Sequence, residues 1–215
     1  MMDSLHTLIE HTLLTPDIDK DAVKNLCREA LEHGLSAVCI PPYFVSLAER
    51  ELRDSTVKVT TVVGFPMGYS ATPAKVEEIK RAIDDGADEI DVVVNICAVR
   101  NGDWSYVRND IDSMTRAVHL KGKVIKVIVE TSVLTREELD RILGICNELD
   151  VDFVKTSTGF HGRGVTQEDV AYIRSRLSPG IKIKASGGIR HAEEARKLID
   201  AGAIRLGCSR SLELI

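Results

Sequence analysis

The chain has 215 residues, with 28 Lys and Arg against 33 Asp and Glu, a net charge of −5 and 44% hydrophobic side chains. The acidic balance excludes the basic footprint of a nucleic-acid-binding surface, and the mixture of apolar and charged residues excludes disordered and membrane-embedded classes. No apolar run reaches the roughly 18 residues of a membrane helix, and MMDSLHTLIEH lacks a basic region followed by an apolar stretch, so no membrane partner and a cytoplasmic location are expected.

In chain order, short apolar runs alternate with amphipathic stretches. A short strand is expected around 8–12, then a helix over 21–34 and a strand at 36–40 (SAVCI). KVTTVVGFP (58–66) reads as a strand, ATPAKVEEIKRAIDDG (71–86) as a helix and EIDVVVN (89–95) as a strand. KVIKVIVET (123–131), DFVKTST (152–158), IKIKAS (181–186) and AIRLG (203–207) read as the remaining strands, with helices at 135–149, 166–177 and 191–202 between them. Gly34, Gly86 and Gly202 follow helical stretches as C′ glycines do, and Thr72, Thr135 and Thr166 read as N-caps. Seven strands suit an open doubly wound sheet. The eighth, at the start, closes a (β/α)8 TIM barrel, and one such barrel domain over residues 1–215 is expected.

Five cysteines without CxxC spacing and six histidines without ligand spacing give no zinc or disulfide framework. No metal site and no cofactor is expected, and the cysteines read as small buried thiols.

Catalytic groups of a barrel sit at the C-terminal ends of its strands, which directs attention to ionisable residues in or just after the apolar runs. Asp91, Lys155 and Lys184 stand out. A single strand lysine can simply snorkel to a strand end or pair with an acid. Two on neighbouring strands repel, and the repulsion lowers the pKa of the drier one, which is how a nucleophilic amine becomes available for an imine. Lys182 points the same way as Lys184 but lies further from the catalytic rim. Asp91 suits either neutralisation of the lysines or proton transfer. Gly187 and Gly188 end a strand before a helix, which favours an anion, with Arg190 adding charge. Ser209 and Arg210, after Gly207, reach the same place, and Gly159 lies on the loop after Lys155. Paired loops after the last two strands commonly hold a phosphate.

HTLL (11–14), CIPPYFV (39–45), VVGFPMG (62–68), GADEIDVVVNI (86–96), VIVETSVLT (127–135), DFVKTSTGF (152–160) and KASGGIR (184–190) together resemble the deoxyribose-phosphate aldolase family over nearly the whole chain. The resemblance implies a metal-free class I aldolase that reversibly cleaves 2-deoxy-D-ribose 5-phosphate into D-glyceraldehyde 3-phosphate and acetaldehyde, in deoxyribonucleoside catabolism, as a homodimer or homotetramer. It assigns the imine to Lys155, the tuning charge to Lys184 and proton relay to Asp91. It places Gly187, Gly188, Gly207 and Ser209 at the phosphate; with Thr12, and with Gly159 and Arg190 from the loop reading, these are the residues expected to bind the sugar phosphate. Attack of Lys155 on C1 is expected to lead to cleavage between C3 and C4. The chain departs from the family pattern at Glu10, where Asp is usual, at Thr15, at His161 and Arg163 in a loop usually rich in glycine, and at Cys208 and Arg210. Three rival readings are another class I sugar-phosphate aldolase, a catalytically silent phosphate-binding barrel, and a lysine-independent isomerase.

Overall fold

A computed structural model describes residues 5–215. Its eight strands are β1 (Ile9–Thr12), β2 (Ala37–Ile40), β3 (Lys58–Val63), β4 (Glu89–Val93), β5 (Val124–Ile128), β6 (Phe153–Lys155), β7 (Lys182–Ser186) and β8 (Arg205–Cys208). All pair in parallel in chain order, and β8 returns to β1 through Ile9 opposite Leu206, closing the barrel. The helices are α1 (Lys20–Glu32), α2 (Val45–Leu52), α3 (Thr72–Asp84), α4 (Ile96–Arg100), α5 (Trp104–His119), α6 (Arg136–Glu148), α7 (Gln167–Arg176) and α8 (Ala192–Asp200). No helix among the described residues is long and apolar enough to cross a membrane.

Local chemistry explains most of the boundaries. Asp19 caps α1 by accepting from the Ala22 amide, and Thr135 and Thr166 form capping boxes with Glu138 and Asp169 at the starts of α6 and α7. Gly34, Gly86 and Gly202 follow α1, α3 and α8 with positive φ, as expected. Thr72 corrects the reading: it is the first residue of α3, Ala71 holds the cap position, and the Thr72 hydroxyl donates to Asp110 at 2.7 Å instead. Helices α2, α4 and α5 were not anticipated, although Val107, Ile111, Met114 and Val118 on α5 recur at helical spacing and are buried.

Alternation along the strands sorts side chains into two layers. Ile90, Val92, Ile125, Val127, Val154, Ile183 and Ala185 face outward into the apolar layer beneath the helices. The opposite parity faces the barrel axis and is largely ionic: Glu10, Glu89, Asp91, Lys126, Lys155 and Lys184 are all buried there. Below them the Phe153 ring has Lys126, Lys182 and Arg205 at 5.9, 5.5 and 5.8 Å from its centroid. Cys27, Cys39, Cys146 and Cys208 are buried thiols pushed up to about 12, by burial above all. Cys97 is exposed, against the expectation for it.

One buried ion pair lies outside the barrel. Lys75 of α3 donates to Asp110 of α5 at 2.8 Å and to the Val93 carbonyl at the end of β4 at 2.9 Å, with neither charged side chain exposed. Removing one partner of such a pair leaves an uncompensated charge and costs about 3–5 kcal/mol. Lys75→Met is therefore expected to lower unfolding free energy by about that amount in urea denaturation; a loss below about 1 kcal/mol would show that the pair contributes little.

Candidate active site

The site begins with Asp91, whose two carboxylate oxygens have different partners. Oδ2 accepts from Lys155 at 2.8 Å and Lys184 at 2.6 Å, and Oδ1 accepts from Lys126 at 3.0 Å. Strand register produces this convergence: Asp91 pairs with Lys126 across β4 and β5, and Lys155 with Lys184 across β6 and β7. The two expected lysines thus sit side by side, as the sequence implied, but share one carboxylate oxygen between them.

Lys126 was missed. It lies within KVIKVIVET and met the criterion that selected Lys155 and Lys184, an ionisable residue inside an apolar run. Glu89 and Arg205 were missed likewise. Lys126 also reaches Glu89 at 2.6 Å and Glu10 at 3.5 Å, while Arg205 meets Glu89 at 3.0 Å and Glu10 at 3.3 Å. The carboxylate of Glu10, a departure from the family pattern, lies directly against the Lys184 ammonium.

The charges hold one another in place. Burial pushes the Asp91 carboxyl up, but the ammoniums of Lys126, Lys155 and Lys184 outweigh it and hold the group well below the usual carboxylate range. Burial likewise raises Glu89, and Lys126 with Arg205 brings it down to about 2. Burial lowers Lys184 and Lys126; Asp91 and Glu10 reverse that for Lys184, and Asp91, Glu10 and Glu89 do so for Lys126, so both are raised.

Above this cluster opens a pocket of about 500 Å³ lined by Thr12, Lys155, Gly159, Gly187, Gly188, Arg190, Gly207 and Ser209, together with Thr158, Phe160 and Arg210. Every residue expected to bind the sugar phosphate lines this one pocket. Asp91 and Lys184 do not line it but lie beneath, leaving Lys155 at its floor. Gly188 has φ +76°, and a Cβ there would approach the Gly164 Cα to 3.1 Å. Gly207 is required by space: a Cβ would lie 3.1 Å from Cε of Lys184 and 3.0 Å from Cβ of Ser186. His191 holds the N-cap position of α8 without a side-chain cap bond, although Glu194 accepts from the Arg190 amide at 3.2 Å. Arg210 pairs with Glu213 at 3.6 Å. Arg163 turns away from the pocket to bind Asp169 at 2.5 Å, and His161 contributes its carbonyl to Ser132. Beside this pocket lies an apolar cleft of about 520 Å³ with Pro42, Tyr43, Phe65 and Pro66 in its wall; Leu14, Thr15 and Phe160 belong to both.

Glu10, Cys39 and Asp91 bring three potential ligand atoms within 4.8 Å of one another. Lys184 contacts both carboxylates, so a cation entering there would displace an ammonium and meet Lys126 and Lys155 as well.

A closed parallel barrel with a buried lysine at the floor of a polar pocket, against a carboxylate and a second lysine, defines an aldolase-type barrel enzyme. The chain belongs to the DeoC/LacD family of aldolases, whose model matches residues 6–209. It is 46% identical over 209 residues to a deoxyribose-phosphate aldolase of Thermococcus kodakarensis, covering 96% of this chain and 93% of that one. Identity to the enzyme of that name from Thermococcus gammatolerans is 44% with the same coverage. A solved tetrameric deoxyribose-phosphate aldolase from Aeropyrum pernix superposes with a TM-score of 0.91 at 29% identity, covering 98% of this chain and 88% of that one.

The ion cluster sets a pH dependence. Glu89 is held at about 2 against an ordinary 4.5, so between these values the unfolded chain takes up a proton that the native state refuses. Stability is expected to fall as pH drops from about 4.5 toward 2, with Asp91 adding to the loss, and to fall again above pH 10.5 as Lys126 and Lys184 come under pressure to deprotonate. Thermal unfolding followed across pH in wild type and Glu89→Gln checks this: the acid limb is expected to be shallower in the variant, and equal slopes would remove Glu89 from the explanation.

Proposed function

We propose that the chain is a class I deoxyribose-phosphate aldolase, a single barrel domain over residues 1–215, that forms its imine on Lys155. The names of its relatives support the substrate, and the placement of Lys155 supports the nucleophile. Three acids, Glu10, Glu89 and Asp91, face four cations, Lys126, Lys155, Lys184 and Arg205, inside the barrel. Lys155 alone of the three lysines pairs with a single carboxylate, and it alone lines the pocket, so it is the amine that a substrate carbonyl can reach. This is the observation that carries the reading.

The neutral amine of Lys155 attacks C1 of the open-chain sugar phosphate, and loss of water from the carbinolamine gives an iminium. Acetaldehyde carries C1 and C2, so the bond that breaks is C2–C3; cleavage between C3 and C4 would release three carbons, and that expectation fails on carbon count. As the C3 hydroxyl loses its proton, its oxygen becomes the aldehyde of glyceraldehyde 3-phosphate and the C2–C3 electron pair flows toward the iminium nitrogen, leaving an enamine. Protonation at C2 and addition of water at C1 release acetaldehyde and the free amine. Asp91 and Lys184, adjoining Lys155, are the groups that move these protons. The Gly187–Gly188 loop, Arg190, Gly207 and Ser209 hold the phosphate, with Thr12 and Gly159 lining the path to Lys155. In this reading the enzyme serves deoxyribonucleoside catabolism in the cytoplasm as a homodimer or homotetramer; the tetrameric relative from Aeropyrum pernix supports an oligomer.

Incubation with acetaldehyde and borohydride is expected to leave a reduced two-carbon adduct on the Lys155 peptide in mass spectrometry. Lys155→Ala is expected to abolish it, and an adduct persisting on another lysine would overturn the assignment. A charge-assisted hydrogen bond is worth about 1.5–3 kcal/mol, so Ser209→Ala is expected to raise KM for the phosphorylated sugar about tenfold or more without a matching change for unphosphorylated deoxyribose.

A further inference from the structure

Glu130 follows β5 in a conformation that few residues other than glycine adopt, with φ +56°, and is fully buried. Its Oε2 accepts from both the amide of Thr158, at 3.0 Å, and the Thr158 hydroxyl. That hydroxyl in turn accepts from the Phe160 amide at 3.1 Å. Its Oε1 is buried and finds no hydrogen-bond partner among the described residues. The backbone around it is pinned to the catalytic strand, since Val129 N donates to the Lys155 carbonyl at 3.0 Å and Thr131 N to that of Thr156 at 2.9 Å.

A left-handed glutamate and an orphaned carboxylate oxygen both cost stability, so a purely structural role is a poor account of the residue. What the carboxylate does accomplish is local. It fixes the turn Thr158–Gly159–Phe160, three residues that line the polar pocket. The segment continuing from this turn lies against the two-glycine loop: Val165 N donates to the Gly187 carbonyl at 3.0 Å, and a Cβ on Gly164 would come within 3.2 Å of the Gly188 Cα. Phe160 also meets Phe65 edge to face at 5.2 Å, on the border with the apolar cleft.

We propose that Glu130 is a positioning residue that, by holding the Thr158–Phe160 turn against the two-glycine loop, sets the preference of the site for a phosphorylated aldehyde over its unphosphorylated counterpart. This rests on the phosphate-binding reading of that pocket. Glu130 touches no reacting atom; it acts through Thr158.

The test compares kcat and KM for deoxyribose 5-phosphate and for deoxyribose in Glu130→Gly, Glu130→Gln and Thr158→Val. Glu130→Gly relieves the backbone and removes the acceptor, and is expected to lower the ratio of kcat/KM for the phosphorylated over the unphosphorylated sugar about tenfold, through KM. Glu130→Gln keeps an oxygen that accepts both Thr158 bonds and is expected to retain most of the preference. Thr158→Val removes the hydroxyl link from the other side, is expected to lower the ratio in the same direction, and serves should Glu130→Gly fail to fold by circular dichroism. An equal fall for both sugars, or an unchanged ratio in Glu130→Gly or Thr158→Val, would overturn the proposal. Ser209→Ala run alongside separates the two readings: if it lowers the ratio and the Glu130 and Thr158 variants do not, only the role of Glu130 falls; if it does not, the phosphate pocket itself has been misplaced.

Discussion

Everything at this site depends on one carboxylate that cannot move. Asp91 is fully buried, takes three ammoniums on two oxygens, and sits on a strand hydrogen-bonded on both sides. An isolated buried carboxylate would take up a proton; this one stays ionised because cations at 2.6–3.0 Å offset its lost hydration. The reciprocal holds for Lys184 and Lys126. The result is a set of charges positioned before any substrate arrives.

The barrel supplies that rigidity cheaply. Backbone pairing satisfies the strands, and the Val, Ile and Ala layer under the helices provides the hydrophobic driving force, so the interior is free to carry charge. Most barrels fill that space with branched apolar side chains. Here Glu10, Thr60, Glu89, Lys126 and Arg205 occupy the lower levels, and the ionic contacts extend from Lys155 at the pocket floor to the half-buried Arg205 beneath. The catalytic group is therefore one end of a longer column rather than an isolated pair of lysines.

How much of this the sequence disclosed depended on whether the signal was local. The strands were legible because short apolar runs bounded by turns are local, and Thr135 and Thr166 because a capping box is written within four residues. Thr72 misled because its hydroxyl had a distant, better partner in Asp110, 38 residues away. Lys155, Lys184 and Asp91 are legible as ionisable residues within apolar runs, and Lys126, Glu89 and Arg205 carry the same local signal. Glu10 is harder: its partners Lys126, Lys184 and Arg205 come from β5, β7 and β8, and only closure of the barrel brings β1 against them. Glu130 was invisible for another reason, since nothing in VIVET announces a left-handed backbone.

The ionic column also constrains how such a chain can drift. A conservative change in the outer apolar layer adjusts packing by a methylene and is absorbed where it occurs. A change at any interior acid or base leaves its partners stranded in a medium that cannot solvate them, so these positions are expected to substitute in concert or not at all. Glu10 is instructive in that light. Lengthening that acid alters its reach but not its sign, which keeps the count of opposing charges intact while redistributing who touches whom. Sequence variation inside this barrel is thus channelled toward geometry at fixed charge, the one kind of change by which the site can be retuned without being dismantled.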